Sequence, residues 1–371
     1  MSIGFQVAST DGLARSGKVV TPHGEFPTPA FMPVGTLGTV KGVTPLHLSA
    51  TGSKIILANA YHLFLRPGTD VVALHGGIHK FMGWNGPILT DSGGYQVFSL
   101  SAITKVSDDG VTFRSHIDGK EVFLSPESAT RIQMELGADI IMAFDECPSP
   151  LAERSVIQKA VERSIAWAER CKKVHESEHQ ALFGIVQGGA DRELRAHCAK
   201  ELVRIGFDGY GIGGLGIGEG TGNMLTAIEA SVPHLPENRP RYLMGLGRPS
   251  DIVSAVGLGV DMFDCVIPTR NARNAMLFTD DGPIRMKNAS HRDDLSPVMA
   301  DCACYTCRNF SRSYLRHLYM SGEMLAGVLG SIHNITYYQS LMERCRAAID
   351  SGNFESFART FLNKYNSAFS D

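Results

Sequence analysis

Short apolar segments alternate with longer amphipathic ones along most of this chain. A short apolar run between Gly, Pro or polar residues predicts a buried strand, and apolar residues recurring every three to four positions predict a helix. Strands are predicted at 30–34, 54–59, 87–91, 139–145, 181–187, 209–214, 241–244 and 260–264. The later strands are separated by predicted helices at 125–137, 153–175, 191–205, 223–232 and 249–257.

This alternation predicts an α/β fold with a parallel sheet, and eight strands predict closure into a (β/α)8 TIM barrel. An open doubly wound sheet is the alternative, but it would usually carry a glycine-rich phosphate loop after its first strand. Residues 30–39 contain no such loop. A chain of 371 residues also exceeds a typical barrel of roughly 250 residues, which leaves room for additions.

Three additions are predicted. Residues 1–29 form an N-terminal β-hairpin cap, and alternating residues at 101–124 form an inserted β-meander. Three closely spaced cysteines at 302, 304 and 307, a spacing that suits one zinc ion, predict a zinc-binding subdomain near the C-terminus. We therefore divide the chain into a barrel with hairpin and meander (1–284), the zinc-binding subdomain (285–340) and a C-terminal helix packing back on the barrel (341–371).

Composition narrows the class of protein. An apolar fraction of 43% with 20% charged residues is typical of a folded protein, and a net charge of −3 argues against indiscriminate nucleic-acid binding. Residues 265–320 nevertheless hold eight Lys and Arg against five Asp. This local excess of positive charge would suit a surface that binds phosphates, but solvated arginines scattered over the surface would give the same count. Because the sequence shows no evident signal peptide and no apolar run long enough to span a membrane, we expect a cytoplasmic protein without a membrane span.

Three of the eight cysteines lie in one short loop, at Cys302, Cys304 and Cys307. Their spacing allows three thiolates to surround one ion, and His333, expected at the start of the next helix, would complete a closed tetrahedral zinc site of the structural kind. His291 and His317 are alternative fourth ligands. The cofactor expected is therefore one structural Zn²⁺ per chain.

Polar residues cluster at the predicted strand ends, where barrel enzymes place their active sites. Aspartate is a poor strand former and is rarely buried without a partner, so three aspartates there indicate a site, although each alone would fit a turn or a helix cap. The strand-end residues are Asn59, Asp91, Asp145, Gln187, Gly213, Gly214 and Asp264.

This set of residues suits a flat heterocycle. Asp145 would accept from two N–H donors, whereas the Gln187 amide and the Gly214 N–H would meet a carbonyl. Tyr95 and Met244 offer faces for stacking. A guanine edge presents such a pattern.

The sequence also resembles the bacterial tRNA-guanine transglycosylase family over nearly its whole length. The resemblance rests on the segments TDSGGYQVFS (90–99), FDEC (144–147), VQGG (186–189), GGL (213–215), YLMGLG (242–247), FDCVIPTR (263–270) and the cysteine loop. It implies a (β/α)8 barrel with a zinc subdomain and an exchange of the wobble guanine of tRNAs with G-U-N anticodons for 7-aminomethyl-7-deazaguanine. Asp264 would be the nucleophile that forms a covalent tRNA–enzyme intermediate, and Asp91 would be the general acid/base.

The resemblance further implies the contacts with base and tRNA. Asp145, Gln187, Gly214 and Ser92 would contact the guanine edge, and Tyr95 and Met244 would sandwich the base. The Leu215 carbonyl, oriented by Glu219, would meet the aminomethyl group. Arg270 and Arg273 would lie near the anticodon nucleotides. A homodimer is expected, with aromatic contacts from Phe310, Tyr314 and His317.

Two departures from the family pattern and three alternatives stay open. The family often has glycine at the position of Ala275, and Gly216-Ile217 differs from its commoner pocket residues; Cys147 fits the bacterial class. The alternatives are a non-catalytic tRNA-binding subunit, a metal-dependent barrel hydrolase, and an enzyme of the same family that takes queuine or the 7-cyano base.

Overall fold

The computed structural model describes residues 3–100, 104–149, 151–216 and 220–367, and its elements alternate strand and helix as expected. The strands are β1 (Gly4–Asp11), β2 (Ala14–Thr21), β3 (Gly24–Thr28), β4 (Ala30–Gly35), β5 (Ile56–Ala58), β6 (Ile88–Thr90), β7 (Thr104–Ser107), β8 (Gly110–Arg114), β9 (Glu121–Leu124), β10 (Ile140–Met142), β11 (Ala181–Val186), β12 (Gly209–Ile212), β13 (Arg241–Leu243), β14 (Met262–Cys265), β15 (Met276–Thr279) and β16 (Gly282–Arg285).

The helices differ widely in length. They are α1 (Pro45–Ala50), α2 (Ala60–Leu65), α3 (Thr69–Leu74), α4 (Ile78–Met82), α5 (Gly94–Leu100), α6 (Pro126–Leu136), α7 (Arg154–Val174), α8 (Arg192–Ile205), α9 (Thr221–Ser231), α10 (Pro249–Gly257), α11 (Ile267–Arg273), α12 (Tyr305–Asn309), α13 (Arg312–Ser321), α14 (Met324–Asp350) and α15 (Phe354–Ser367). Short 3₁₀ turns follow α9 and β16.

The predicted barrel is confirmed. Its strands close in the order β10-β11-β12-β13-β14-β4-β5-β6, and neighbouring strands are parallel. Several strands are shorter than the predicted segments; β6, for example, covers only 88–90 of 87–91. As a result most of the polar residues that ended the predicted segments lie beyond the strands, on the carboxyl face of the barrel, whereas Asp264 lies within β14.

An antiparallel sheet closes the opposite, amino-terminal face of the barrel. The predicted hairpin is its β1–β2 part, and β3 adds a third strand. Phe26 and Val19 of this sheet pack in the core cluster that fills the barrel, together with Met32 and Phe183. The Asp139 carboxylate, just before β10, binds His23 Nδ1 of the sheet at 2.8 Å and His79 Nε2 of α4 at 2.9 Å. The sheet is therefore a plug anchored by burial and by a shared carboxylate.

The remaining additions follow the prediction with one correction. The meander is confirmed as the sheet β7-β8-β9; its predicted residues 101–103 lie outside the described residues. The expectation that His333 begins a helix is wrong, because α14 starts at Met324 and His333 lies within it. Since α14 also runs across residue 340, the division at 284 and 340 stays a prediction.

Helix α14 joins the additions to the barrel. Its Gln339 donates to the Phe31 carbonyl at 3.0 Å and its Arg346 donates to the Pro29 carbonyl at 2.6 Å. Near its end Asp350 accepts a short hydrogen bond from Ser16 of the plug sheet. No helix among the described residues has both the length and the apolar character needed to cross a bilayer.

Candidate active site

Asp264, the last but one residue of β14, lies buried at the carboxyl face of the barrel. The Tyr242 hydroxyl donates to its Oδ1 at 2.6 Å, and the Gly245 N–H donates to the same oxygen at 2.7 Å. Burial raises the pKa of Asp264, and these two hydrogen bonds oppose the rise. Both donors contact Oδ1, and Oδ2 has no hydrogen-bond donor among the described residues. Oδ2 is therefore the oxygen of Asp264 that is available to a ligand.

Asp91 directly follows β6, and both of its carboxylate oxygens are occupied. The Ala60 N–H donates to Oδ1 at 2.9 Å, while Asn59 Nδ2 and Gln96 Nε2 donate to Oδ2 at 2.5 and 2.6 Å. Burial raises the pKa of Asp91 to about 6; the three hydrogen bonds oppose the rise and the nearby charge of Asp264 adds to it. A carboxyl group that titrates near pH 6 can both give and take a proton near neutrality.

Asp145 and Gln187 form a second polar cluster beside these two carboxylates. Gln187 Nε2 donates to one Asp145 oxygen at 2.7 Å, and the Ser92 hydroxyl donates to the other at 2.9 Å. Burial raises the pKa of Asp145, and both hydrogen bonds oppose it. The predicted grouping of Ser92, Asp145 and Gln187 is thus present, and it offers acceptors and an amide to the edge of a planar ligand.

Two glycines allow the backbone to approach this cluster. A Cβ on Gly94 would lie 2.7 Å from the Asp145 carbonyl oxygen. Gly214 has a φ of +69°, and a Cβ there would lie 2.3 Å from Gln187 Oε1. Neither position can carry a side chain without moving the cluster, so glycine has a steric reason both at the predicted Gly214 and at Gly94, which the prediction did not name.

The other predicted site residues lie around this cluster with different exposure. Tyr95 on α5 is 49% exposed, Met244 directly after β13 is half-buried, and Leu215 is buried. Arg270 and Arg273 are exposed on the last turn of α11, the helix that follows β14. Glu219, together with Ile217, lies outside the described residues.

Three contacts around the aspartates were missed from the sequence. Tyr242 and Gln96 stand inside segments that the sequence analysis singled out, yet neither had received a role. The hydroxyl of Tyr242 reaches Asp264 from the neighbouring strand, and Gln96 reaches back to Asp91 from the first turns of α5. Gly245 contributes through its main-chain N–H, which no residue pattern marks.

The predicted metal ligands come together outside the barrel. His333 Nδ1 lies 3.9, 3.7 and 3.3 Å from the sulfurs of Cys302, Cys304 and Cys307. Ligand atoms of a tetrahedral zinc site, with bonds of about 2.0–2.3 Å, are separated by roughly 3.5–3.8 Å. His333 Nε2 donates to the Phe278 carbonyl at 2.7 Å, which leaves the Nδ1 lone pair for the ion. The four residues therefore fit a closed, structural zinc site.

Loss of a zinc ligand gives a first prediction. We expect Cys307→Ser to lose zinc and to cost more than the roughly 3 kcal/mol of an ordinary substitution, because structural zinc supplies on the order of 10 kcal/mol of folding free energy. Elemental analysis and thermal unfolding measure both effects. Cys345→Ala, on helix α14 with the ligand His333 but outside the cluster, should keep one zinc per chain. A wild-type content far below one zinc would contradict the site.

Two buried aspartates and a carboxylate–amide cluster lie at the mouth of a closed eight-stranded barrel, the arrangement typical of a (β/α)8-barrel enzyme. The chain matches the model of the family described as queuine tRNA-ribosyltransferase over residues 10–367. Three curated proteins named queuine tRNA-ribosyltransferase are similar throughout. Those of Marinobacter nauticus (53% identity over 358 residues, 96% of each chain), Idiomarina loihiensis (51% over 361, 97% of each) and Halothermothrix orenii (51% over 367, 98% of each) match almost end to end. The chain belongs to this family and is a tRNA-guanine transglycosylase.

Proposed function

We propose that the protein exchanges the wobble guanine of tRNAs with G-U-N anticodons for 7-aminomethyl-7-deazaguanine, by double displacement through a covalent tRNA–enzyme intermediate. Guanine exchange in the queuosine pathway is the activity of the family; the anticodon, the incoming base and the intermediate are the proposal. The observation that supports it most directly is the unequal bonding of the two aspartates, because one of them keeps an oxygen free of donors.

In the first step Asp264 Oδ2 attacks C1′ of the target ribose. The new C–O bond forms as the C1′–N9 bond breaks, and its electron pair leaves with guanine. Asp91, whose pKa of about 6 leaves part of it protonated near neutrality, gives the departing base its proton. Two such inversions at C1′ restore the β-nucleoside, as in a retaining glycosidase.

In the second step the incoming base replaces Asp264. Asp91, now a carboxylate, takes a proton from the 7-deazaguanine as its N9 attacks C1′, and the Asp264–ribose bond breaks. Asp145, Gln187 and the Gly214 N–H would hold the guanine-like edge of either base, with Ser92 assisting. Both bases share that edge, so one site serves both steps.

The remaining roles concern the faces and the 7-substituent of the base. Tyr95 and Met244 would sandwich its faces; the exposed ring of Tyr95 suits a group that a base covers on binding. The Leu215 carbonyl, oriented by Glu219, would meet the aminomethyl group. The target base must leave its stack to reach these residues, which lie inside the barrel mouth.

Exchange of radiolabelled guanine into tRNA tests this function. We expect incorporation into a tRNA with a G-U-N anticodon and none into the same tRNA with its wobble guanine replaced by adenine, since adenine lacks the N1–H and N2–H donors that Asp145 would accept. Competition between 7-aminomethyl-7-deazaguanine, queuine and the 7-cyano base ranks the incoming bases. A protein that binds the G-U-N tRNA but never exchanges guanine would be the non-catalytic alternative.

We also propose that Arg270 and Arg273 contact the anticodon nucleotides beside the target. Both guanidiniums are exposed on α11, one turn or more beyond the nucleophile. Phosphate contacts of this kind make affinity depend on salt.

A homodimer through the aromatic face of α13 completes the proposal. Phe310 stacks on Tyr314 with ring centroids 5.3 Å apart, and Tyr314 is followed by His317 at 6.5 Å. Tyr314 is 39% exposed. An exposed aromatic row is typical of an interface core.

The dimer gives a further prediction. We expect Tyr314→Asp to convert a dimer into monomers in sedimentation analysis, because a buried unpaired carboxylate opposes association. The matched control is Tyr95→Asp, an exposed tyrosine of the barrel mouth, which should leave the sedimentation coefficient unchanged. A wild-type protein that sediments as a monomer at micromolar concentration would contradict the proposed interface.

A further inference from the structure

A cavity of about 800 Å³ lies at the amino-terminal face of the barrel, on the side opposite Asp264. We call it the basal cavity; it is bounded by β1, β2 and the segment between α9 and β13. Its volume is within the range of small-molecule sites, roughly 300–1,000 Å³. Most of its wall is apolar, and the apolar residues are Phe5, Val7, Leu13, Val232, Pro233, Leu235 and Leu258.

Two arginines stand in this wall, and one of them is fully paired. Arg15 Nε donates to Asp261 Oδ1 at 2.8 Å, and its Nη2 donates to Oδ2 at 2.5 Å. The other Arg15 contacts go to the carbonyls of Glu237 and Arg239 at 2.7 and 2.8 Å. Arg15 therefore uses the buried Asp261 carboxylate as its own partner.

Arg241, the second arginine, has no such partner. Its guanidinium donates only to the carbonyls of Leu235 and Gly259, both at 3.2 Å, and within the described ranges its buried Nε meets no acceptor. Only the main-chain N–H of Arg241 reaches Asp261, at 2.6 Å. The side chain is nevertheless 94% buried, since it is 6% exposed.

The guanidinium of Arg241 therefore has no direct carboxylate partner among the described residues. Burial and the nearby Arg15 lower the pKa of Arg241 to about 10, and the charges of Asp261 and Glu237 oppose this, so Arg241 still carries its charge at neutral pH. Buried charges are ordinarily paired, because a cation removed from water without an anion costs several kcal/mol. The wall of the basal cavity thus holds a buried guanidinium to which no carboxylate of the described residues is hydrogen-bonded.

We propose that the basal cavity binds a small amphipathic monoanion, with its acidic head on Arg241 and its apolar body against Phe5 and Val232. Glu229 and Glu237 also line the cavity and are exposed, so they repel a second negative charge. A carboxylate head is therefore favoured over a doubly charged phosphate. The site lies away from the base-exchange machinery and does not depend on the function proposed above.

Isothermal titration of the full chain with three matched probes tests the inference. Naphthalene-2-carboxylate is expected to bind one per chain. The uncharged naphthalene-2-carboxamide should bind about 10- to 100-fold more weakly, as expected when a charged hydrogen bond is lost, and 2-naphthyl phosphate no more tightly than the carboxylate. No saturable binding of the carboxylate, or equal affinity for the carboxamide, would overturn the proposal; a tighter phosphate would overturn the choice of head group.

Two variants locate the binding. Arg241→Gln should weaken the carboxylate about 10- to 100-fold and leave the carboxamide unchanged, whereas Arg239→Gln, which removes a guanidinium outside the cavity wall, should change neither. Val7→Trp should fill the cavity and abolish binding of both probes while guanine exchange continues. If Arg241→Gln does not fold, the Val7→Trp result decides alone, and undiminished binding in it would place the probe elsewhere.

Discussion

Replacing Asp264 with Asn is expected to lower guanine exchange by on the order of 10⁴-fold or more and to remove the covalent tRNA adduct, because an amide oxygen is too weak a nucleophile to attack C1′. The substitution keeps the size of the side chain and an oxygen that can accept from Tyr242 and Gly245. Binding of tRNA should therefore survive. The adduct is read on a denaturing gel, and tRNA affinity is read separately.

The matched control for this variant is Asp208→Asn. Asp208 lies just before β12 on the amino-terminal face and accepts from the Leu182 N–H at 3.1 Å, so it repeats the chemical change away from the site. It should retain the adduct and exchange. An adduct that persists in Asp264→Asn and disappears in Asp91→Asn would exchange the roles of the two aspartates.

Replacing Asp91 with Asn is expected to lower exchange by about 10²- to 10⁴-fold, the usual contribution of a general acid/base. Here the adduct should form slowly rather than vanish, because the nucleophile is intact. In the wild type, a plot of the guanine-exchange rate against pH should change slope near pH 6, the pKa to which burial raises Asp91. A rate profile of Asp91→Asn with the same bend near pH 6 would assign that titration to another group.

The raised pKa of Asp91 also has a consequence for stability. Since the folded state holds this proton more tightly than the unfolded chain, the contribution of Asp91 to the free energy of unfolding falls as pH rises from about 4 to about 6 and stays low above that. The rise from 3.8 to about 6 corresponds to about 3 kcal/mol at 1.36 kcal/mol per unit. We expect Asp91→Asn to gain stability relative to wild type by this amount between pH 4 and pH 7, measured by urea unfolding.

The barrel could be predicted because its strands are short apolar runs, several of which end at or just before a polar residue. The apolar run defines the strand, and the polar residue defines the end that faces the site, as Asp91 and Asp264 illustrate. The third strand of the plug sheet and the start of α14 were harder to predict from the sequence, because β3 contains a proline and α14 is buried on several faces. A helix buried on several sides loses the apolar periodicity by which helices are recognised.

The aspartates of the site could be predicted, whereas the hydrogen-bond donors Tyr242 and Gln96 could not. Tyr242 lies in an apolar strand and is a natural core residue, so only the three-dimensional register shows that its hydroxyl reaches Asp264. Gln96 stands five residues after Asp91, a separation at which any loop conformation was possible. Donors of this kind are set by the fold rather than by local sequence.

Ala275, flagged as a departure from the family pattern, turns out to lie in an unusual conformation. Its φ of 61° falls in the left-handed region, where a Cβ costs roughly 1–2 kcal/mol and glycine costs nothing. The family preference for glycine at this position thus has a backbone reason. The chain accepts some strain here, immediately after the helix that carries Arg270 and Arg273.

The closing seam of the barrel has a consequence for how the protein is made. Strand β4 pairs with β14, with Phe31 opposite Phe263. β4 is the first barrel strand in the sequence and β14 is the last, so one edge of β4 stays unpaired until β14 has been synthesised. Helix α14, which donates to the Phe31 and Pro29 carbonyls, is synthesised later still. Pairing that depends on so distant a segment is slow and leaves an apolar edge open to other nascent chains. Closure of this barrel is therefore expected to come late in folding, after the segments that carry β14 and α14 have been synthesised.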